Sequence, residues 1–233
     1  MVAAVHLEHF DSVAGIADAK GEIFSGLEPS GIAVINGDLE WTERLKGHAA
    51  KAKPSRLITY GRATSCDVQL KSLALGEEGS EATIGFFGKT LSYRIGAPGE
   101  HWALNSLGVL ATIAALGADV EQAAADMATL AALSGRGARQ RITAAKGAFD
   151  LIDESYNANP LSTAMAIATL GRAQPGPGGR RIAVLGDMLE LGPTAGELHA
   201  GLAKPLAEHG IDLVFASGPL MNQLWQAIAE RQR

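Results

Sequence analysis

The chain has 233 residues, of which 47% are hydrophobic and 19% charged, and its formal net charge is −5. This composition suffices for one large domain or two ordinary ones and excludes a disordered chain. The negative net charge gives no reason to expect nucleic-acid binding. A single cysteine, Cys66, excludes an internal disulfide framework and indicates a reducing compartment.

The N-terminus and the apolar stretches indicate a soluble, cytoplasmic protein. The opening MVAAVHLEHF lacks the basic segment of a signal peptide. The longest apolar stretch, residues 104–118, is too short and too interrupted by glycine to span a bilayer. MVAAV has the pattern of a strand with no preceding cap, so we expect that the domain is truncated at this end.

The first part of the chain alternates predicted helices and strands. A helix is predicted over residues 12–27, strands over 31–36 and 55–61, and a mixed-charge helix over 39–51. Such alternation is typical of a parallel sheet with helices packed on it.

From residue 66 to residue 95 the pattern changes to that of antiparallel hairpins. GFFGKT at residues 85–90 resembles part of a phosphate-binding loop, but the strand-like LSYRI that follows favours a hairpin turn. Two largely apolar helices are predicted next, over residues 99–117 and 119–133.

After residue 149 three strand–helix units follow one another. The strands are FDLID, RRIAVLG and IDLVFAS, and the pattern is typical of an open parallel sheet with Rossmann-like winding. We place the domain boundary between residues 143 and 144. Residues 1–143 then form a central α/β domain with a partial mixed sheet, and residues 144–233 form an incomplete Rossmann-like domain.

One lysine lies in the apolar stripe of the first predicted helix. Lys20 falls in the same row as Ile16 and Ala17, and burying an ammonium is costly unless it is paired, neutralised or modified. Either Lys20 snorkels to water, or it is held uncharged for chemistry. His6 lies 14 residues earlier at a predicted strand end, so a carboxylated Lys20 and this imidazole could converge on Mg²⁺.

Three other residues are candidates for ligand contacts. His101 and Asn105 are four residues apart and share a helix face, which is as consistent with a cap and a packed amide as with a ligand contact. Arg136 stands between two glycines in SGRG, where its fork of donors suits a phosphate, although a surface arginine in a turn is the commoner case.

Two polar segments each follow a predicted strand in the second domain. DESYNANP at residues 153–160 has more polar side chains than a helix cap needs, which favours a binding site. Its candidate residues are Asp153, Glu154, Tyr156, Asn157 and Asn159. GDMLELG at residues 186–192 could hold an ammonium group through its acids. Its candidates are Asp187, Met188, Glu190, Leu191 and Gly192, together with His199 on the next helix.

Together these segments resemble the Mur ligase family. The resemblance rests on HLEHF with AKGEIF, on GEHWALN, SGRG and DESYNANP, and on GDMLELG with His199, which span nearly the whole chain. It implies an ATP-dependent ligase of peptidoglycan precursor synthesis that joins D-Ala-D-Ala to UDP-MurNAc-tripeptide through an acyl phosphate. It further implies Mg²⁺ as a cofactor. We also expect a monomeric protein that neither enters the membrane nor binds nucleic acid.

The resemblance also implies roles for individual residues. Lys20 matches a carbamylated lysine and His6 a magnesium ligand; His101 and Asn105 match a helix that contacts the nucleotide, and Arg136 an arginine that reaches the phosphates. DESYNANP matches a segment that meets ATP at the junction of the central and C-terminal domains, and GDMLELG belongs to the domain that receives the dipeptide.

Two departures from the family pattern stand out. Glu154 occupies a position where the family usually has aspartate, and the GTxGKT phosphate loop of the family is absent from these residues. We therefore expect no ligase activity from this chain alone. Two alternatives remain: another Mur-type or folylpolyglutamate-type ligase, and a non-catalytic fragment that binds nucleotide or dipeptide.

Overall fold

The computed structural model describes residues 2, 10, 12–76, 78–145 and 147–233. Packing divides the chain between Ala131 and Ala132 into two compact units. The assignment of residues 1–143 and 144–233 to two domains remains a proposal.

The first unit combines helices with five strands. Its elements are α1 (Val13–Gly21), a 3-10 turn (Glu22–Gly26), β1 (Ile32–Asn36), α2 (Thr42–Lys51), β2 (Arg56–Gly61), β3 (Val68–Leu75), β4 (Ser80–Phe86), β5 (Lys89–Ile95), α3 (Glu100–Ala115), α4 (Val120–Asp126) and a second 3-10 turn (Met127–Thr129).

The five strands form one mixed sheet in sequence order, which confirms the predicted fold class. β1, β2 and β3 are parallel, whereas β3, β4 and β5 are antiparallel. One face of α3 packs on the sheet, because its buried residues recur at helical spacing. These residues are Ala103, Leu107, Leu110 and Ala111.

The GFFGKT segment is a hairpin turn, as predicted. Phe86 pairs with Lys89, and Phe87 and Gly88 between them both have positive φ, 45° and 84°. Two consecutive positive φ angles are characteristic of the type I′ turn that joins twisted strands. The segment therefore closes β4 and β5 and opens no helix.

The first helix differs from its prediction over residues 12–27. It ends at Gly21 and continues as a 3-10 turn, whose smaller number of residues per turn moves Ile23 out of the predicted stripe and leaves it 76% exposed. The buried positions of α1 are Ile16, Ala17 and Gly21. Lys20 lies in this row, one turn after Ile16 at the C-terminal end of the helix, but it is exposed, so the interpretation of a buried lysine is wrong.

The second unit contains two separate pairs of strands. Its elements are β6 (Ala138–Ala144), β7 (Gly147–Asp153), α5 (Pro160–Arg172), β8 (Ile182–Gly186), a 3-10 turn (Gly192–Thr194), α6 (Ala195–Ala200), α7 (Ala203–Glu208), β9 (Leu213–Ser217), α8 (Met221–Ala227) and a final 3-10 turn (Glu230–Gln232).

Strand pairing and helix lengths in this unit differ in part from the prediction. β8 and β9 are parallel as expected, but FDLID lies in β7, which pairs with its sequence neighbour β6 in an antiparallel ribbon. Pairing strands that are close in sequence costs little loop-closure entropy. The helix predicted after GDMLELG is broken into α6 and α7, because Pro205 has no N–H to donate to the carbonyl of Gly201.

Within the described ranges, no helix is both long enough and apolar enough to cross a bilayer.

Candidate active-site residues

The carboxyl ends of two parallel strands in the first unit form a polar edge. Asp38 follows β1 and Arg62 follows β2, and the Asp38 carboxylate accepts hydrogen bonds from the backbone N–H groups of Arg62 (2.7 and 2.8 Å) and Ala63 (3.0 Å). Ligands of α/β sheets bind outside the carboxyl ends of strands. These bonds therefore build the loops at the edge where a ligand would bind.

The start of α3 is tied to this edge. Glu100, its first residue, accepts a hydrogen bond from Nη2 of Arg62 at 2.5 Å. The next residue, His101, is half-buried, and its ring centroid lies 5.7 Å from that of Trp102. The predicted site residue His101 is thus placed beside the carboxyl end of β2.

Asn105 lies one turn further along α3 and is exposed. It borders a hollow of about 400 Å³ that is also lined by Val34, Tyr60 and the next two turns of α3. The structure therefore keeps His101 and Asn105 on one helix and brings Asp38, Arg62 and Glu100 to the same region. The sequence signal for Asp38 and Arg62 was available, since GD and GR each follow a predicted strand directly.

The predicted metal ligands are only partly placed. His6 lies outside the described residues, and Lys20 is exposed in the last turn of α1. In the part of the chain that the structure describes, no three His, Cys, Asp or Glu side chains cluster as metal ligands. One exposed amine does not make a cation site, so the described residues do not fit Mg²⁺ by themselves.

In the second unit the SGRG turn and the DESYNANP segment interlock. Asp153 accepts the N–H of Gly135 on its carboxylate (2.9 Å) and the N–H of Gly137 on its backbone carbonyl (2.8 Å). The N–H of Tyr156 in turn donates to the carbonyl of Gly135 at 3.1 Å. These bonds hold Arg136, between the two glycines, against the start of DESYNANP.

Charge in this segment is set by hydrogen bonds and burial. The hydroxyl of Ser155, at 2.6 Å, and then its N–H hold the pKa of Asp153 below its ordinary value. Burial first, and then the neighbouring Asp153 charge, raise the pKa of Glu154, while Arg136 acts in the opposite direction. The pKa values of these two adjacent carboxyls are therefore shifted in opposite directions.

Arg136 stacks on Tyr156, with 4.1 Å between its Cζ and the ring centroid. Both side chains are exposed, Tyr156 by 68%. A guanidinium stacked on a ring keeps its in-plane N–H donors for an anion. The arrangement therefore fits a phosphate group.

The two asparagines of DESYNANP have different positions. Asn157 is exposed. Asn159 is the N-cap of α5: its Oδ1 accepts the N–H of Ser162 (2.9 Å), whose hydroxyl accepts the N–H of Asn159 (3.0 Å). The oxygen of Asn159 is thus engaged in holding the helix.

The GDMLELG loop is held by side chains that point in opposite directions. The Asp187 carboxylate accepts the N–H groups of Leu220 (3.2 Å) and Met221 (2.9 Å) at the start of α8. Met188 and Leu191 are buried in the core of the unit, whereas Glu190 is exposed with a φ of 60°. Gly192, which ends the loop, also has positive φ, 67°.

His199 is fully buried beneath this loop. Its Nε2 accepts the N–H of Met188 at 2.9 Å, and its Nδ1 lies 2.6 Å from the carbonyl oxygen of Ala195. Because one partner can only donate and the other can only accept, the ring is neutral with its proton on Nδ1. His199 therefore supports the loop and does not reach solvent in this structure.

Comparisons with known proteins agree with this fold. The Mur ligase middle domain matches residues 1–113, and the Mur ligase glutamate ligase domain matches residues 138–233. The chain is 33% identical over 222 residues to UDP-N-acetylmuramoyl-tripeptide–D-alanyl-D-alanine ligase of Escherichia coli (strain K12), a match that covers 93% of this chain and 46% of the relative. The Bacillus subtilis (strain 168) ligase of the same name is 33% identical over 215 residues, covering 92% and 44%.

Two solved structures are similar to the chain. MurF from Acinetobacter baumannii superposes with a TM-score of 0.85 at 25% identity and covers 97% of this chain and 47% of its own. MurF ligase from Thermotoga maritima in complex with ADP has a TM-score of 0.80 at 24% identity, covering 99% and 50%. The chain spans less than half the length of the E. coli and B. subtilis relatives.

Proposed function

Because the chain belongs to the Mur ligase family, we propose that its residues serve an ATP-dependent ligase that adds D-Ala-D-Ala to UDP-MurNAc-tripeptide in peptidoglycan precursor synthesis. The observation that carries this proposal is the interlock of SGRG with DESYNANP, which fixes an exposed Arg136 on the ring of Tyr156. The E. coli and B. subtilis relatives that share both domains carry this activity in their names.

In the proposed reaction a peptide carboxylate oxygen bonds to the γ-phosphorus of ATP while the bond to ADP breaks. The amine of D-Ala-D-Ala then attacks the acyl carbon, loses a proton, and phosphate leaves. ATP supplies the activation of the carboxylate, and negative charge on the transferring phosphoryl group must be offset by cations and N–H donors. Arg136 is the residue we assign to this task.

Two sets of residues are our candidates for the remaining nucleotide contacts. On α3, His101 and Asn105 would contact the adenine nucleotide, with Arg62 and Glu100 holding the start of the helix. In DESYNANP the candidates are Asp153, Glu154, Tyr156, Asn157 and Asn159. Of these, Asn159 would act through the start of α5, since its carbonyl oxygen already caps the helix.

The GDMLELG loop is our candidate for dipeptide binding. The exposed carboxylate of Glu190 has the charge to attract the ammonium of D-Ala-D-Ala. Asp187, Met188, Leu191 and His199 would contribute by fixing the loop, because they are bonded to backbone groups or buried. Gly192 supplies the positive φ that ends the loop.

Lys20 and His6 remain proposed as the carbamylated lysine and a magnesium ligand of this family. No step of the reaction is assigned to Mg²⁺, because the described residues do not complete a site for it. We further propose that the protein works as a monomer in the cytoplasm, where its nucleotide substrate is available.

Two measurements test the proposed function. Calorimetry on the 233-residue chain should detect ADP binding that is weakened in R136A and kept in the ribbon variant R139A. Substituting the chain for the matched segment of the E. coli relative should give a protein that releases ADP only with UDP-MurNAc-tripeptide and D-Ala-D-Ala present. A folded chimera that binds ADP without turnover would favour the non-catalytic alternative, and preference for another amine would favour a different ligase.

A further inference from the structure

Helix α1, which carries Lys20, cannot fix its own orientation. It has nine residues, and its buried positions are Ile16, Ala17 and Gly21. Isolated helices shorter than roughly 12 residues are marginal in water, so such a helix depends on contacts with its neighbours. Its direction must therefore be set by whatever holds its flanks.

An ion cluster on α2 holds one flank of α1. The Asp18 carboxylate is engaged by Nε and Nη2 of Arg44, at 2.6 and 2.5 Å, in a bidentate pair. The same carboxylate lies 2.8 Å from Nε2 of His48. Arg44 and His48 are four residues apart on α2, so they present one face to the carboxylate.

The contact is also close-packed. Gly21 lies three residues after Asp18 on the same flank, and a Cβ atom there would stand 2.6 Å from Cγ of the His48 ring. The ring therefore rests directly on the backbone of α1. An ion pair and a steric contact one turn apart fix both the rotation and the position of the helix along α2.

Lys20 points away from this cluster. Two residues along an α-helix correspond to about 200° of rotation, so Lys20 projects from the side opposite to Asp18. Lys20 is exposed, although Ile16 one turn earlier on the same side is buried. By fixing the rotation of α1, the cluster also fixes the side of the helix from which the Lys20 amine projects.

We propose that Asp18, Arg44 and His48 are positioning residues. They fix the orientation of α1, so that the Lys20 amine projects in the direction that its proposed role in the reaction requires. This inference rests on the proposed function, because it gives Lys20 a chemical role. It adds residues that neither the motif pattern nor the predicted ligand set contains. A bidentate arginine pair supplies direction as well as attraction, which a single lysine would not.

The first test follows the Lys20 amine without relying on turnover. In the 233-residue chain, the rate of Lys20 acetylation is measured by peptide mass spectrometry relative to Lys204, in D18N, R44Q and the D18N/R44Q double variant. We expect the ratio to change in all three by a similar amount, because the variants remove one shared contact. E43Q, which breaks the exposed Lys46–Glu43 pair on α2, is the control. Ratios that stay at the wild-type value in D18N and R44Q overturn the proposal.

The second test uses turnover in the chimera with the E. coli relative. D18N should lower kcat by roughly tenfold or more with little change in KM for D-Ala-D-Ala, because misplacement of a reacting group costs rate. An R44K variant should keep only part of the wild-type kcat, since lysine cannot form the bidentate pair with Asp18. If K20R is as active as wild type, the proposed role of Lys20 fails, and the acetylation ratios still decide whether the cluster orients α1. Unchanged kcat in D18N alongside an inactive K20R overturns the positioning role.

Discussion

Arg136 stacks on Tyr156 because the backbone between them is locked: the N–H of Tyr156 donates to the carbonyl of Gly135, the residue before the arginine. A backbone bond thus brings the ring under the guanidinium. Without the ring, Arg136 would be a long exposed side chain that loses rotamer entropy whenever it binds a ligand. Because the stack already restricts the Arg136 side chain, less rotamer entropy is lost when a ligand binds.

Removing the ring should therefore weaken nucleotide binding. An exposed cation–π contact is worth about 0.5–1 kcal/mol, so Y156A should raise the Kd for ADP roughly two- to fivefold, whereas Y156F keeps the ring and the affinity. Calorimetry on the 233-residue chain measures both. In an R136A background, Y156A should have no further effect. Equal affinity in Y156A and wild type would show that the stack has no part in binding.

Glu154 gives a pH-dependent prediction. Burial raises the pKa of this carboxyl, so the folded state disfavours its charged form. The resulting stability is present while Glu154 is protonated, and it is lost as the pH rises from the ordinary glutamate pKa through the raised folded value. E154Q should consequently be more stable than wild type at pH 7, and the difference should disappear at acidic pH.

Urea unfolding at pH 7 and at pH 4 measures this difference. E121Q, at an exposed position on α4, should change little at either pH. The gain in E154Q should come with weaker ADP binding, since we propose that Glu154 contacts the nucleotide. A lower urea midpoint for E154Q than for wild type at pH 7 would contradict the assigned effect of burial.

His199 gives a prediction about the GDMLELG loop. In H199L the N–H of Met188 loses its partner in a buried site, and the carbonyl of Ala195 loses its bond to the imidazole but keeps its place in α6. An unsatisfied buried group costs about 1–3 kcal/mol, so the second unit should lose roughly that amount of stability. The exposed neighbour variant E197A on α6 should lose far less.

Hydrogen exchange at the Met188 amide localises this effect. Its protection should fall in H199L by more than that of the β9 amides, because its acceptor is removed directly. Dipeptide binding should weaken too, since the loop is no longer held. Unchanged protection of Met188 in a folded H199L protein would show that His199 does not support the loop.

Much of the fold could be predicted from sequence because it rests on local signals. The turn residues Phe87 and Gly88 and the apolar stripe of α3 each determine their own element. The candidate site residues could be proposed from sequence as well, since polar side chains that directly follow strands stand out. The orientation of these side chains could not be predicted from the sequence. His199 turns inward to satisfy the N–H of Met188, and Lys20 is exposed although Ile16 on the same face is buried. Both outcomes depend on tertiary partners that the local pattern does not contain.

Gly135 gives a last prediction about the anion site. Its φ is 73°, and a Cβ there would lie 2.9 Å from Cβ of Tyr156 and 3.0 Å from its backbone nitrogen. Alanine at this position faces the left-handed backbone penalty of about 1–2 kcal/mol and a clash with the residue that Arg136 stacks on. G135A should therefore both destabilise the second unit and weaken ADP binding.

The matched control is G176A, since Gly176 lies in the same unit, has no positive φ and has nothing within 4 Å of its Cβ position. It should be neutral or slightly stabilising, because alanine restricts the unfolded chain. Thermal unfolding and calorimetry with ADP are measured on both variants. Relief of the clash can be tested with Y156G/G135A, which keeps the backbone penalty but removes the side chain that Gly135 avoids. If G135A matches G176A in stability and affinity, the close approach of Gly135 to Tyr156 does not build the site, and Arg136 must be held in some other way.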